Sequence, residues 1–222
     1  MRIAVSVLAV TWMCGSLSAQ QMDPRRGPPG CNPVATRTME LGCYVVASTP
    51  LPNLAGTSHF WHLDTYPTRA EAEAAKSEHG TVVESFGKVW LFTIADQGWR
   101  APGGQHVGEV GPLVIKPEIK HTAAYLEAVM FPGAETSVHY HPGPEALFPL
   151  TGEECMETSD GKVLGQPYKS SIIVPGHVTH KMTITGKEKR TSLGVILHES
   201  SEPLTFQGHE HGWKPKGLCK AD

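Results

Sequence analysis

From Ala123 to His198 short apolar runs alternate with turn signals at a regular interval, and this rhythm constrains the fold more than any other feature of the 222-residue chain. Tyr125 to Phe131 gives way to Pro132-Gly133, Ser137 to His141 to Pro142-Gly143-Pro144, and Glu145 to Leu150 to Thr151-Gly152. Asp160-Gly161 marks a further hairpin, Ser170 to Val174 ends at Pro175-Gly176, and His180 to Thr185 and Thr191 to His198 complete the set. Runs of this length are too short for helices, and many short strands joined by tight turns bury their apolar faces by forming a sandwich or a barrel.

Ahead of this region the pattern is less uniform. Strands are expected over Cys43 to Ser48 and Ser58 to Leu63. Thr68-Arg69-Ala70-Glu71 has the form of a capping box and leads into an Ala/Glu-rich stretch to about Lys76, closed by Gly80, which predicts one short helix. Thr81 to Ser85 and Lys88 to Ile94 flank Gly87 and read as a hairpin, Gly98 to Gly108 reads as a loop, and Leu113-Val114-Ile115 starts another strand. The expected division is therefore a lead-in over 20–35, an N-terminal extension over 36–118, a barrel over 119–200 and a tail over 201–222.

Residues 1–19 carry the marks of an export signal: Arg2, an apolar run from Ile3 to Leu17, and small residues up to Ala19, with cleavage expected near Ala19-Gln20. No later apolar run approaches a membrane-spanning length, so no stable span is expected, and the localisation that follows is periplasmic or extracellular. Removal of the signal leaves Cys31, Cys43, Cys155 and Cys219, an even number in a compartment where disulfides persist. Two bridges are expected, with all three connectivities open and free buried thiols as the alternative. A formal net charge of −3 with no basic stripe argues against a nucleic-acid partner.

The twelve histidines are numerous for a chain with nineteen Lys plus Arg, and two of them lie in the most informative stretch. On a strand, His139 and His141 point to one face while Tyr140 points to the other. The Pro142-Gly143-Pro144 bend turns the chain back, so that Glu145 brings a carboxylate to the same point. A fourth donor is found by parity in Pro175-Gly176-His177-Val178-Thr179-His180. Val178, His180, Met182 and Ile184 form an apolar face carrying one histidine, whereas His177, Thr179, Lys181 and Thr183 form a polar one, so His180 is the inward residue.

These residues resemble the cupin superfamily. Its first motif, G-x5-H-x-H-x3-E-x6-G, is matched at every fixed position from Gly133 to Gly152. The second, P-x-G-x2-H, is met at Pro175 and His180, with Gly176 one place early and His177 where glycine is usual. The resemblance covers roughly residues 120–200 and no second copy is found in 36–115. It implies an all-β fold, a cupin-like antiparallel β-barrel or jelly roll, here with an N-terminal α+β extension carrying the short helix. It also implies one divalent metal ion held by His139, His141, Glu145 and His180, and pairing into a homodimer.

Such a donor set with open octahedral positions favours Fe(II) or Mn(II), while zinc fits a closed tetrahedral shell. Three readings follow: a metal-dependent small-molecule enzyme of oxygenase type, a non-catalytic binding or sensing barrel, and a chiefly structural protein. Tyr125, Glu127 and Met182 are candidates for the surrounding pocket, with Glu127 equally placed by its sequence for a solvent-facing position. His209-Glu210-His211 reads as part of a solvated tail, and His59 and His62 as packed or hydrogen-bonded histidines of an aromatic cluster.

Overall fold

The computed structural model describes residues 30–52, 54–208 and 212–221. The export signal, most of the lead-in and His209-Glu210-His211 lie outside the described residues. In chain order the elements are β1 (Asn32–Pro33), β2 (Gly42–Leu51), β3 (Ser58–Tyr66), α1 (Arg69–Ala75), β4 (Gly80–Ser85), β5 (Lys88–Ala95), β6 (Gln105–Val114) and β7 (His121–Met130). There follow β8 (His139–Tyr140), β9 (Glu145–Thr151), β10 (Glu154–Thr158), β11 (Gly161–Gly165), β12 (Ile172–Val174), β13 (Lys181–Ile184), β14 (Arg190–Glu199) and β15 (Phe206–Gln207).

The central layer is a sheet ordered β1-β2-β7-β14-β9-β12. Both of its faces are covered. The residues of one parity, among them Tyr125, Ala146, Phe148, Leu193, Val195 and Leu197, pack against Trp61, Leu63, Trp90, Phe92 and Ile94 of a second sheet, ordered β4-β5-β3-β6. Those of the other parity, such as Leu147, Ile172 and Val174, pack with Met156, Met182 and Ile184 of the β11-β10-β13 sheet. This double burial explains why β7, His121-Thr-Ala-Ala-Tyr-Leu-Glu-Ala-Val-Met130, lacks a clean alternation: neither side of it meets water, so neither has to be polar. Each large side chain buried here contributes about 1.5–3 kcal/mol.

The short helix forms as its capping box predicts. The Thr68 hydroxyl accepts from the Glu71 N–H, and the Glu71 carboxylate accepts from the Thr68 N–H at 3.0 Å. Its buried Ala72 packs with Tyr66, Val82, Leu91 and Ala101 on the outer face of the second sheet. The fold is thus all-β, a cupin-like antiparallel barrel with an α+β N-terminal portion, and β2 from that portion lies hydrogen-bonded to β7 within the central sheet.

Two sequence expectations are corrected. Residues 105–108 are not loop but the start of β6, and Leu113-Val114 ends that strand rather than opening a new one. The glycines that read as loop punctuation are accommodated because β6 pairs with β3 through register shifts at His59/Trp61 and Leu63/Asp64.

The connectivity left open by sequence is Cys31–Cys43 and Cys155–Cys219. The second bridge ties the C-terminal segment to β10, and the Glu157 carboxylate reinforces it by accepting from the Leu218 N–H at 3.0 Å and from the Lys216 N–H. Both bridges are compatible with an exported protein. Among the described residues no helix is long and apolar enough to cross a membrane.

Candidate metal centre

The predicted donors come from three places in the barrel. His139 lies on β8 and its backbone forms an antiparallel bridge with His180, the two residues exchanging N–H···O bonds of 3.2 and 2.9 Å. Glu145 opens β9 opposite Ile196 of β14 and Val174 of β12. His141 is carried between them, its carbonyl accepting from the His177 N–H at 2.7 Å.

Their side chains converge. His180 Nε2 lies 3.1 Å from His139 Nε2 and 3.3 Å from Glu145 Oε2, and His141 Nε2 lies 3.8 Å from the same carboxylate oxygen. One nitrogen from each of the three rings falls within 4.8 Å of the others. His141, Glu145 and His180 are buried and His139 is partly exposed.

The tautomers follow from what surrounds the rings. His139 Nδ1 lies 2.8 Å from the Ser137 carbonyl, His141 Nδ1 2.7 Å from that of Leu204, and His180 Nδ1 2.9 Å from that of Val178. A carbonyl can only accept, so each Nδ1 carries the proton and each Nε2 presents a lone pair. Three lone pairs and a carboxylate therefore face one another, and the buried His141 Nε2 and Glu145 Oε2 have no hydrogen-bond partner. Acceptors crowded together in this way repel unless a cation lies among them, so the donor set fits a divalent metal ion.

Electrostatics agree. Burial, followed by the neighbouring His180 and His141, lowers His139 from its ordinary 6.5 to about 3, and burial likewise lowers His141. Burial pushes the Glu145 carboxyl up, but attraction to His141 and a hydrogen bond with His180, both made when those rings are protonated, outweigh it and hold the group at about 2. His139 and His141 are neutral and the Glu145 carboxylate is ionised at neutral pH. The sign for stability is the same for both kinds of group. Between 6.5 and about 3 the unfolded chain binds the proton that folded His139 refuses, and the contribution of Glu145, present above 4.5, is lost as pH falls towards about 2. The metal-free protein should therefore lose stability steadily as pH falls through that window, measured as the denaturant midpoint; a flat midpoint would contradict the assignment.

The turn before His180 explains the departure from the second motif. His177, standing where glycine is usual, has φ 63°, a left-handed conformation costly for a residue with a Cβ. Gly176 is glycine for another reason: a Cβ there would lie 2.8 Å from Gly143 Cα, in the bend that carries His141 and Glu145. His177→Gly is expected to stabilise the protein by about 0.5–1 kcal/mol in thermal or denaturant unfolding without changing metal content.

The other expected pocket residues divide. Met182 lines the cavity beside the histidines, together with Leu126, Met130, Leu147 and Met156. Tyr125 and Glu127 do not; they lie on the opposite face of β7, because residues 126 and 130 hold the cavity-facing parity. Tyr125 packs against Phe92 and Trp61 with ring centroids 5.1 and 6.5 Å away, and Glu127 is bound by Ser85 and Arg37. His59 and His62 are buried, and His62 Nε2 lies 2.9 Å from the Asp96 carbonyl.

Two features of the site escaped the sequence. The Leu204 carbonyl that orients His141 belongs to a segment read as tail, where the pairing of β15 with β8 and the stacking of Phe206 on Tyr140 at 5.0 Å leave no recognisable pattern. Arg190 also lines the cavity, and parity with Ile196 on β14 was the signal that could have found it.

A short-stranded antiparallel barrel with three histidines and a carboxylate converging inside it defines a cupin-like protein with a candidate metal centre. No protein-family model matches the chain, and no curated protein matches it in sequence. Among solved structures it is similar to a cupin-like protein from Thermotoga maritima, at 19% identity and TM-score 0.35 over 38% of this chain and 63% of that one, which is less than two thirds of its length. It is similar also to a cupin superfamily protein from Desulfitobacterium hafniense (20% identity, TM-score 0.31, 39% of this chain and 73% of that one). A third is a DMSP lyase from Ruegeria pomeroyi (19% identity, TM-score 0.34, 38% and 42%).

Proposed function

We propose that this chain is an exported cupin-like protein in which His139, His141, Glu145 and His180 hold one divalent ion, Fe(II) or Mn(II), and that it acts on a small molecule as a metal-dependent enzyme of oxygenase type. The observation that carries the reading is the set of Nε2 lone pairs, each enforced by an Nδ1–H bound to a backbone carbonyl, meeting an ionised carboxylate. Four protein donors leave an octahedral ion two positions for substrate or oxygen. When bound, the ion supplies Lewis-acid polarisation and, as iron, activation of O2.

The chain's own residues supply the rest. Met130, Leu147, Met156 and Met182 give the cavity an apolar wall, and the backbone carbonyls keep the imidazoles in the coordinating tautomer. The two disulfides support export. A binding or sensing barrel without turnover is the second reading, favoured by the mutual neutralisation of Glu154 and Arg190, the charged pair adjoining the donors.

The test is the metal content of the protein purified without chelators, followed by an oxygen-consumption screen of the iron-loaded form. Stoichiometric iron or manganese with substrate-dependent oxygen uptake supports the enzyme. Inert zinc, or no metal even after reconstitution, overturns it.

A further inference from the structure

His139 and His141 are held by a segment from the far end of the chain. The N–H and carbonyl of His139 are both used by the bridge with His180. The neighbouring backbone groups turn to the opposite edge of β8, where β15 pairs Phe206 with Tyr140 and Gln207 with His139. The Gly208 N–H donates to the Val138 carbonyl at 2.9 Å, and Phe206 lies on Tyr140 with the ring planes 8° apart. Ser137, whose carbonyl orients His139, donates its hydroxyl to Gln207 Oε1 at 2.7 Å. The same segment supplies the Leu204 carbonyl that fixes His141 Nδ1–H, and Thr205 lines the cavity. His180 and Glu145 are placed by other elements, through the Val178 carbonyl and through β9.

A two-residue strand is too short to hold its place alone. Its chain is fixed on both sides. Upstream, the Ser200 N–H donates to the Lys120 carbonyl at 2.8 Å. Downstream, Glu157 accepts from the Lys216 and Leu218 N–H groups, Lys162 Nζ donates to the Leu218 carbonyl at 3.1 Å, and Cys219 is bonded to Cys155 of β10. Of these ties only the disulfide is covalent. A segment tethered at both ends gains less conformational freedom on release than one with a free end, so the bridge favours the seated strap.

We propose that residues 204–208 form a strap that positions His139 and His141, latched by the Cys155–Cys219 bridge, so that the chain binds its metal ion tightly only after that bridge has formed. The latch closes by exchange with a disulfide of another molecule: one S–S bond forms between Cys155 and Cys219, and the partner disulfide takes two electrons and two protons to become two thiols. Phe206 is a positioning residue acting through Tyr140. The inference rests on the metal-centre reading for the ion.

The experiment uses the full chain and Mn(II) alone, with affinity read from the paramagnetic resonance of the free ion at a temperature where each variant is folded. Cys219→Ser opens the latch and leaves the buried Cys155 in place; should it fold poorly, Cys155→Ala/Cys219→Ala replaces it. Phe206→Ala removes the stacking with both bridges intact, and Phe206→Tyr restores it. Cys219→Ser and Phe206→Ala are expected to lose about 10-fold to 100-fold in Mn(II) affinity, with Phe206→Tyr within about threefold of wild type. In metal-free protein, nuclear magnetic resonance should show faster hydrogen exchange at the Gly208 amide and loss of the single Nδ1–H tautomer of His141 in both weakened variants.

Unchanged Mn(II) affinity in Cys219→Ser overturns the latch, and an unchanged affinity in Phe206→Ala overturns the strap, while the metal centre stands in either case. A wild type that binds no Mn(II) removes the metal reading, and with it the proposed coupling, even where the Gly208 and His141 signals respond to Cys219→Ser and show that the strap itself is latched.

Discussion

The His139→Ala/His141→Ala double variant is expected to lose its metal while keeping its fold. Structural metal sites with four protein donors are worth about 10–16 kcal/mol, or roughly 3–4 kcal/mol per ligand, so removal of two weakens binding by on the order of 10⁴-fold or more. The backbone bridge between His139 and His180 does not depend on either imidazole, so β8 stays in place. The comparison without metal adds a sharper check. In the metal-free wild type the His139 and His180 lone pairs face one another at 3.1 Å, and alanine removes that repulsion. The variant should be at least as stable as wild type in chelator and less stable in the presence of metal. Elemental analysis and unfolding with and without metal measure both effects, and a variant that retains stoichiometric metal would remove these histidines from the site.

Gly143→Ala is expected to destabilise the protein by about 3 kcal/mol or more and to lower metal affinity with it. A Cβ at Gly143 would sit 1.8 Å from the Leu197 carbonyl oxygen and 3.1 Å from His198 Cα. These are backbone atoms of β14, and the Pro144 carbonyl binds the Leu197 N–H at 3.0 Å, so neither side can yield. Relief requires the whole Pro142-Gly143-Pro144 bend to move, and this bend joins His141 to Glu145. Thermal unfolding and metal titration of the same sample test whether the two losses occur together; a variant of native stability with weakened metal binding, or the reverse, would break the coupling.

The donor set was legible because it depends on local rules. Two residues apart on a strand share a face, a Pro-Gly-Pro bend reverses the chain, and the apolar face of Val178, Met182 and Ile184 identifies His180 as inward, so four ligands could be named from short stretches. The helix was legible for the same reason, since a capping box closes within four residues. Tyr125 and Glu127 were misplaced because β7 is apolar on both faces: when both sides of a strand are buried, hydrophobicity no longer reports which side faces the cavity, and only the register with β14 does. The strand at 105–108 was hidden by glycines whose pairing partner is about forty residues away.

The sequence by itself determined the short antiparallel strands, the short helix and the four candidate donors that the structure brings together, because each follows from periodicity, turn chemistry or parity within a few residues. Only the tertiary structure decided which cysteines join, which face of the central sheet holds the cavity, that the Leu204 carbonyl orients His141, and that Arg190 enters the site. These depend on contacts between segments far apart in the chain, where burial and hydrogen-bond satisfaction are settled by packing and leave no local pattern to read.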